Sequence, residues 1–287
     1  MAGVRDIRRR IRSVTSMQQI TRAMKMVAAA KLRRAQDKVI ASRPYARQLQ
    51  EVLARLVANV DEDLAQTQPL LRQRPVQRTA YLLVSSDRGL CGGFNANLFR
   101  MTNGVIAEQK QEVGLVTVGR KGRDFYRRRK LEILESYTGL GDHPSYQQAK
   151  GIAGTLIKLY ETKEVDEVYL VYSEFVNALT QRPSIVKLLP IERPAGEQKE
   201  DKHLYIFEPT PMDILNTLLP RYVETLIYGA LLESRASEEG ARMTAMGAAT
   251  DNAKDMISSL TLAMNRARQA AITTEISEIV GGAAALE

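Results

Sequence analysis

Few residues in this chain could carry out catalysis by themselves. It contains one cysteine, Cys91, and two histidines, His143 and His203, in 287 residues. Cys91 could act as a nucleophile, but a thiol needs a nearby base, and only the two imidazoles could serve as its partner. A structural zinc site uses about four Cys or His ligands, so this inventory argues against one. Catalysis by this chain alone is not expected.

Two glycine-bearing segments could in principle hold a phosphate group. Segment 85–98, SSDRGLCGGFNANL, follows a predicted strand but lacks the G-x-G-x-x-G spacing of a dinucleotide site, and segment 114–121, GLVTVGRK, lacks the Gly-Lys-Ser/Thr order of a P-loop. We interpret the first as a tight turn that needs positive φ, with Asn95 as a candidate helix cap, and the second as a strand end and helix start. An α/β enzyme that uses the turn at residues 89–93 remains an alternative, which nucleotide binding by the isolated chain would favour.

The middle of the chain alternates between two patterns of apolar residues. Short apolar runs predict strands and amphipathic stretches predict helices, and the alternation predicts βαβ units with a mostly parallel sheet. The polar segment 191–204 is expected to be an exposed loop or hairpin. The predicted strands span 79–85, 113–119, 131–137, 165–175 and 184–191, and the helices between them span 95–110, 120–130 and 145–164.

The first sixty residues predict a long helix, because their apolar residues recur at steps of three or four. Pro44 should bend or split this helix. The predicted seam has one shift of phase between Val14 and Ile20, and its members are Val4, Ile7, Ile11, Val14, Met17, Ile20, Met24, Val27, Ala28, Leu32, Ala35, Val39, Leu49, Val52, Leu53, Leu56 and Val60.

The last segment, from residue 211, also predicts a long helix, which Pro220 is expected to kink or restart. Its seam is thin, with small residues and methionines, so the helix needs a partner, and the N-terminal helix is the obvious one. The predicted seam is Met246, Thr250, Ala253, Ile257, Leu260, Met264, Ala267, Ala271 and Thr274. The predicted fold is therefore an α/β domain, residues 61–210, inserted between an N-terminal helix, 1–60, and a C-terminal helix, 211–287, which pair as a long antiparallel coiled coil.

The net charge of +8 is carried by one end of the chain. Residues 1–60 hold 14 Lys/Arg and 3 Asp/Glu, whereas residues 211–287 hold 6 and 10. A nucleic-acid-binding protein with a coiled-coil arm is therefore an alternative, but the basic segment lacks interleaved aromatic residues. The single cysteine fits a reducing compartment, no run of about 18 apolar residues predicts a membrane span, and the N-terminus lacks a secretory signal.

Three segments resemble the gamma subunit of the F-type ATP synthase, over essentially the full length. ITRAMKMVAAAKLRRAQ, residues 20–36, resembles the N-terminal shaft motif of that family, and SSDRGLCGGFN resembles its strand–turn segment. The C-terminal signature of the family is matched at every fixed position, namely Ile272, Thr273, Glu275, Glu278, Gly282 and Ala283.

The resemblance implies a Rossmann-like domain at the base of the coiled coil and a non-catalytic function. Family members bind no nucleotide or cofactor; the partner alpha and beta subunits hold the nucleotide and magnesium. The coiled coil turns inside a ring of three alpha and three beta subunits, and the base binds the epsilon subunit and the membrane c-ring. Ion flow through the c-ring thereby drives ATP synthesis. The implied location is the cytoplasmic side of a bacterial cell membrane, where the subunit is peripheral. No nucleic acid is expected as a partner.

The same resemblance implies two groups of contact residues. The expected beta-subunit contacts are Met24, Lys25, Arg266, Arg268 and Gln269, and the expected contacts with the c-ring and epsilon are Lys31, Arg33, Arg34, Tyr205, Phe207 and Glu208. The small residues at the C-terminal tip would keep the C-terminal helix narrow, so that it could turn inside the ring of alpha and beta subunits. Replacement of Ala267 or Ala271 by Trp is therefore predicted to slow turnover or block assembly.

Overall fold

The computed structural model describes residues 4–58, 68–192 and 211–284, with side chains described for 4–57, 68–192 and 212–281. The chain forms two compact units. Met1–Ala28 and Arg242–Glu287 make up the first, which we call the helix pair, and Ala29–Ala241 makes up the second, which we call the α/β unit.

Two long helices carry residues of both units. Helix α1 spans Val4–Ala58 and helix α5 spans Pro211–Ala284. Pro44 and Pro220 lie inside these helices, so the predicted split or restart at either proline is wrong. At Pro44 the reason is visible, because the proline and its neighbours on both sides are exposed and water can satisfy the carbonyl group that loses its helical hydrogen bond.

The sheet of the α/β unit has five strands in the order β3-β2-β1-β4-β5. Strands β1 to β4 run parallel and β5 pairs antiparallel with β4, as the predicted mostly parallel sheet requires. The strands are β1 (Arg78–Val84), β2 (Glu112–Val118), β3 (Ile133–Tyr137), β4 (Glu167–Phe175) and β5 (Gln181–Leu189), and the helices between them are α2 (Phe94–Glu108), α3 (Arg120–Arg128) and α4 (Tyr146–Glu161).

The sheet has an apolar core on each face, because successive side chains of a strand point to opposite sides. On β1, Leu82 and Val84 join one core, together with α4 and the segments of α1 and α5 in this unit. Tyr81 and Leu83 join the other core, with α2 and α3. The predicted class, an α/β domain between two long antiparallel terminal helices, is confirmed.

Some predictions fall outside the described residues. The segment 193–204, Val60, Tyr205, Phe207, Glu208 and the boundary between residues 60 and 61 all lie there. Among the described residues, no helix is both long and apolar enough to cross a membrane.

Candidate interaction surface

An α/β enzyme would bind phosphate at the carboxyl ends of its parallel strands. In this chain the turn after β1 occupies that position. The first three N–H groups of α3 all have acceptors in the turn after β1. Arg120 N–H donates to Asp87 Oδ1 at 3.0 Å, Lys121 N–H to the Ser86 carbonyl at 3.0 Å, and Gly122 N–H to Ser85 Oγ at 2.9 Å. These donors, which a phosphate group would need, are therefore already used.

The turn at residues 89–93 partly matches its prediction. Gly92 has φ 54° and confirms the need for a residue with positive φ, but the other such residue is Leu90, with φ 63°. The prediction that Asn95 caps α2 is wrong, because Gly93 is the N-cap and Asn95 lies inside the helix. The Asn95 side chain instead accepts from Ser86 N–H at 3.1 Å and binds the turn from the other side.

Cys91 contributes to this turn as a buried side chain. It is 2% exposed, and its Sγ accepts a hydrogen bond from Asn95 Nδ2 at 3.3 Å. A thiol enclosed in this way is not open to a substrate, which argues against its use as a nucleophile. Within the described part of the chain, no group of three or more His, Cys, Asp or Glu side chains could hold a metal ion.

In the helix pair, the two helices run antiparallel with polar contacts between them. The Thr250 hydroxyl donates to the Thr21 hydroxyl at 2.8 Å, and the Lys25 side chain lies 3.5 Å from the position a Cβ would take at Gly247. Residue numbers therefore rise along one helix as they fall along the other. Seventeen positions separate Thr21 from Val4, and seventeen positions beyond Thr250 lie at Ala267. Val4, the first described residue of α1, therefore lies at approximately the same level along the helix pair as Ala267.

The inner face of α1 differs from the predicted seam. Met17, Ile20 and Val27 are 56%, 60% and 55% exposed, so their assignment to the seam is wrong. The helix keeps one unbroken phase of threes and fours, and no shift occurs after Val14. Polar residues hold that phase in the middle, where Lys25 is exposed but lies against Gly247. The full course is Val4, Ile7, Ile11, Val14, Gln18, Thr21, Lys25, Ala28, Leu32, Ala35 and Val39.

These three exposed apolar residues form a feature that we call the outer stripe, namely Met17, Ile20 and Val27. Thr21 is 9% exposed although it is polar, because its hydroxyl is hydrogen-bonded across the helix pair. The apolar character of Met17, Ile20 and Val27 predicted that the outer stripe is the buried face of α1. The structure instead buries the face that carries Thr21. The sequence signal that could have found the inner face is the uninterrupted heptad phase itself.

The seam of α5 follows its prediction as far as Ala267 and then ends. Met246 and Ala253 are buried, and Ala267 is half-buried. Every described side chain from residue 268 to 281 is exposed, so the predicted seam positions Ala271 and Thr274 are wrong. The reason is the register, because these residues lie past the level of Val4 and have no described partner helix. Residues 268–284 extend about 25 Å along the axis.

The residues expected to contact beta subunits lie at the surface of the helix pair. Met24 is half-buried and Lys25 is exposed, as are Arg266, Arg268 and Gln269. The described signature residues are exposed on the unpaired end of α5, and these are Ile272, Thr273, Glu275 and Glu278. Gly282 and Ala283 belong to the helix, but their side chains are outside the described set.

The residues expected to contact the c-ring and epsilon have different surroundings. Arg33 and Arg34 are exposed, whereas Lys31 donates to an oxygen of Asp142 at 2.7 Å. This hydrogen bond, with the charge of Arg235, holds the pKa of the Asp142 carboxyl below its usual value although partial burial opposes the shift. The charge of Lys31 is thus already matched within the α/β unit.

Sequence reasoning missed the partners of Asp142. Residues 138–145, the connection from β3 to α4, form a segment that we call the strap. Its Asp142 also accepts a hydrogen bond from the Arg235 guanidinium, and Arg235 pairs with Glu238 at 2.9 Å and with Glu239 at 2.7 Å. Asp142 and Arg235 are 93 residues apart in sequence, so no local pattern points to their contact.

Comparisons with known proteins give one consistent result. A family model described as ATP synthase matches residues 3–286. The ATP synthase gamma chain of Desulfitobacterium hafniense is 66% identical over 287 residues and that of Heliobacterium modesticaldum is 57% identical over 293, each alignment covering 100% of both chains. A chain of the Euglena gracilis mitochondrial ATP synthase, in its OSCP/F1/c-ring structure, matches with a TM-score of 0.70 and 21% identity, covering 99% of this chain and 94% of that one. A chain of the Tetrahymena thermophila central stalk and c-ring matches with a TM-score of 0.59 at 24% identity, covering 80% and 99%.

Proposed function

The chain belongs to the ATP synthase gamma-chain family, and from that premise we propose how its surfaces meet the rest of the enzyme. It is a non-catalytic subunit of the central stalk, which couples ion flow through the membrane sector to conformational change at the catalytic subunits. The proposal concerns which residues make the contacts through which that coupling occurs.

The unpaired end of α5 carries the proposal. Residues 268–281 are exposed on all sides, yet they include Ile272, Ile276, Ile279 and Val280, which are 49% to 66% exposed. Leaving four aliphatic side chains in water forgoes about 1.5–3 kcal/mol each. A ring of three alpha and three beta subunits that encloses this end would cover them.

Contacts with the beta subunits are assigned to both helices of the pair. Arg266, Arg268 and Gln269 are exposed near the level at which α1 begins, and Lys25 is exposed farther along the pair. Arg266 and Arg268 form no ion pair with any described residue, so their charges are available to a partner. The outer stripe extends this surface with apolar area.

Contacts with the c-ring and epsilon are assigned to the α/β unit. Arg33 and Arg34 would supply positive charge, and Lys31 would have to leave Asp142 before it could contribute. Tyr205, Phe207 and Glu208 complete the proposed contact. The proposed domain limits, 1–60, 61–210 and 211–287, place these residues in the base or beside it.

The proposed assembly has one copy of this chain for three alpha and three beta subunits. Nucleotide and magnesium are bound by those partners, and the complex sits on the cytoplasmic side of a bacterial cell membrane through the c-ring. Coexpression with alpha and beta subunits of a close relative, followed by native mass spectrometry and an ATPase assay, tests this. The expected result is a complex with one copy of the chain and sustained ATP hydrolysis.

Variants separate the specific contact from general assembly. Arg268→Ala combined with Gln269→Ala is expected to lower the hydrolysis rate of the assembled complex, because two hydrogen-bonding contacts to a beta subunit are lost. Arg127→Ala, at an exposed position of α3, is the matched control and should leave the rate unchanged. Salt-sensitive binding of RNA without any association with alpha and beta subunits would contradict the proposal and favour a nucleic-acid-binding protein.

The tryptophan test becomes sharper once the register is known. Ala267 lies in the seam with α1, so Ala267→Trp should disturb the helix pair itself. Ala271 is exposed past the level of Val4, so Ala271→Trp should leave the free chain as stable as before and slow turnover or block assembly only in the complex. An Ala271→Trp complex that turns over at the normal rate would count against a close-fitting bearing.

A further inference from the structure

The strap, residues 138–145, joins the sheet to both long helices within the α/β unit. At one end, Gly139 N–H donates to Asp87 Oδ2 at 3.0 Å, and Asp87 belongs to the turn after β1. At the other end, Ser145 caps α4, with its side chain accepting from Gln148 N–H. Between them, Asp142 reaches α1 and α5. The strap is therefore tied to four parts of the unit.

The Asp142 carboxylate uses a different oxygen for each long helix. Oδ2 is 2.7 Å from Lys31 Nζ on α1, and Oδ1 accepts from the Arg235 guanidinium on α5. The Arg235 side chain is 15% exposed and is oriented by Glu238 and Glu239, one turn farther along the same helix. One side chain of the strap thus contacts both helices at once.

Apolar contacts and charge-assisted hydrogen bonds differ in how well they resist rotation of a helix about its own axis. Apolar packing is non-directional, so it resists separation of a helix from a sheet more than it resists rolling of that helix about its own axis. Charge-assisted hydrogen bonds depend on geometry and oppose such a rotation. Lys31 and Arg235 lie close to Ala29 and Ala241, the residues at which the α/β unit begins and ends.

We propose that Asp142 is a torque-bearing positioning residue, which fixes the rotational setting of α1 and α5 against the sheet. This rests on the proposed function, in which the α/β unit is driven and the helices turn inside the catalytic head. Torque applied to the sheet reaches both helices through the strap. The contribution of Asp142 to folding is small, because its side chain is 45% exposed and its ion pairs are screened by solvent.

The test measures torsional stiffness in the assembled complex. The alpha and beta subunits are immobilised, a probe is attached to the α/β unit through Glu161→Cys, and the thermal fluctuation of its angle is recorded in the stalled state. The native Cys91 is 2% exposed and should not react with the probe. Asp142→Asn removes the negative charge that the strap presents to Lys31 and Arg235. Because charge-assisted hydrogen bonds are roughly twice as strong as neutral ones, the variance of the probe angle should rise roughly twofold.

The matched control is Asp124→Asn, which removes an exposed Asp–Arg pair at 2.9 Å on α3 that touches neither long helix. It should leave the variance at the wild-type value. Lys31→Gln, which removes one of the two bonds, should give an intermediate variance and serves if Asp142→Asn assembles poorly. ATP hydrolysis by Asp142→Asn and Asp124→Asn should stay near the wild-type rate.

The outcomes separate the two proposals. If the wild-type chain neither assembles nor rotates, the proposed function is wrong. If it rotates, but Asp142→Asn and Lys31→Gln fluctuate like Asp124→Asn, the proposed function stands and the strap does not bear torque.

Discussion

In the α/β unit many of the largest side chains are fully buried, whereas in the helix pair several of the largest are exposed. Tyr81, Tyr126 and Tyr160 are at most 1% exposed. Ile20 and Ile279 are 60% and 66% exposed, while Thr21 takes the inner position beside Ile20. The α/β unit therefore buries a large apolar core of its own, although Ile40 and Leu179 are 65% and 77% exposed, and the helix pair buries much less.

This difference shows which unit needs partners in order to be complete. Burial contributes about 0.8 kcal/mol per CH₂ group, so a seam built from Ala and Thr gains much less than one built from Leu. The α/β unit has its sheet edge closed as well, by Asp87 and the turn after β1. The helix pair thus leaves much of its apolar surface available to other proteins.

The largest predicted effect tests how far the α/β unit depends on contacts within itself. Arg74 is 2.7 Å from Asp166, lies over the ring of Tyr160 at 4.3 Å and is 20% exposed. Arg74→Ala leaves the Asp166 carboxylate buried without its cation, so the free energy of unfolding should fall by about 3 kcal/mol or more in urea denaturation. Arg182→Ala, which removes an exposed pair on β5, should change it by less than about 0.5 kcal/mol. Equal losses would mean that the buried pair has no special role.

A second prediction concerns the closed sheet edge. Asp87→Ala removes the acceptor of the Arg120 and Gly139 N–H groups, so the unfolding free energy should fall by about 1–3 kcal/mol. Sulfate should restore part of this loss in the variant and have less effect on the wild type, because an anion can replace the carboxylate at the start of α3. Thermal denaturation with and without sulfate measures both effects. A loss in Asp87→Ala that sulfate does not reduce would argue against this account.

A third prediction compares one glycine from each unit. In the helix pair, a Cβ at Gly247 would lie 3.5 Å from Lys25, an ordinary contact, so Gly247→Ala should stabilise by about 0.5–1 kcal/mol. In the α/β unit, a Cβ at Gly240 would lie 3.2 Å from the Ala178 carbonyl oxygen, and the resulting strain should cancel the same gain. Chemical denaturation of the two variants measures the difference. If Gly240→Ala stabilises as much as Gly247→Ala, the packing of the two units differs less than described.

The smallest predicted effect depends on pH. Burial raises the pKa of the Glu233 carboxyl, and Arg43, at 3.5 Å, offsets this only in part. A raised pKa means that the folded state favours the protonated form, so stability is lost as pH rises through that pKa. Glu233→Gln should therefore melt above the wild type at pH 8, by no more than about 3 °C, and the advantage should shrink toward pH 4. The exposed control Glu108→Gln should show no such trend in calorimetry.

The sequence predicted the sheet and its connections well, because strands and amphipathic helices leave local signals. The alternation of Leu82 and Leu83 between two cores follows from the pleat, and Ser145 before α4 is a recognisable helix start. Three ion pairs of the α/β unit, Arg74–Asp166, Lys31–Asp142 and Arg235–Asp142, join residues far apart in sequence. Such contacts depend on tertiary structure, which no local pattern encodes.

The helix pair was predicted less well, for a different reason. Hydrophobicity favoured Ile20 as an inner residue, and the structure places Thr21 there. A method that assigns the most apolar face to the interior assumes a protein that is complete by itself. Between Met17 and Val27 the more apolar face of α1 is turned outward, as expected of a surface that a partner covers.

The exposed end of α5 has a consequence for the life of the subunit in the cell. A helix without neighbours is only marginally stable in water, so its last turns open often. Proteases cleave such opened segments readily. A copy made in excess of its ring would be shortened from this end and removed, whereas an enclosed copy would be spared. The geometry that permits rotation would then also keep subunit numbers in balance.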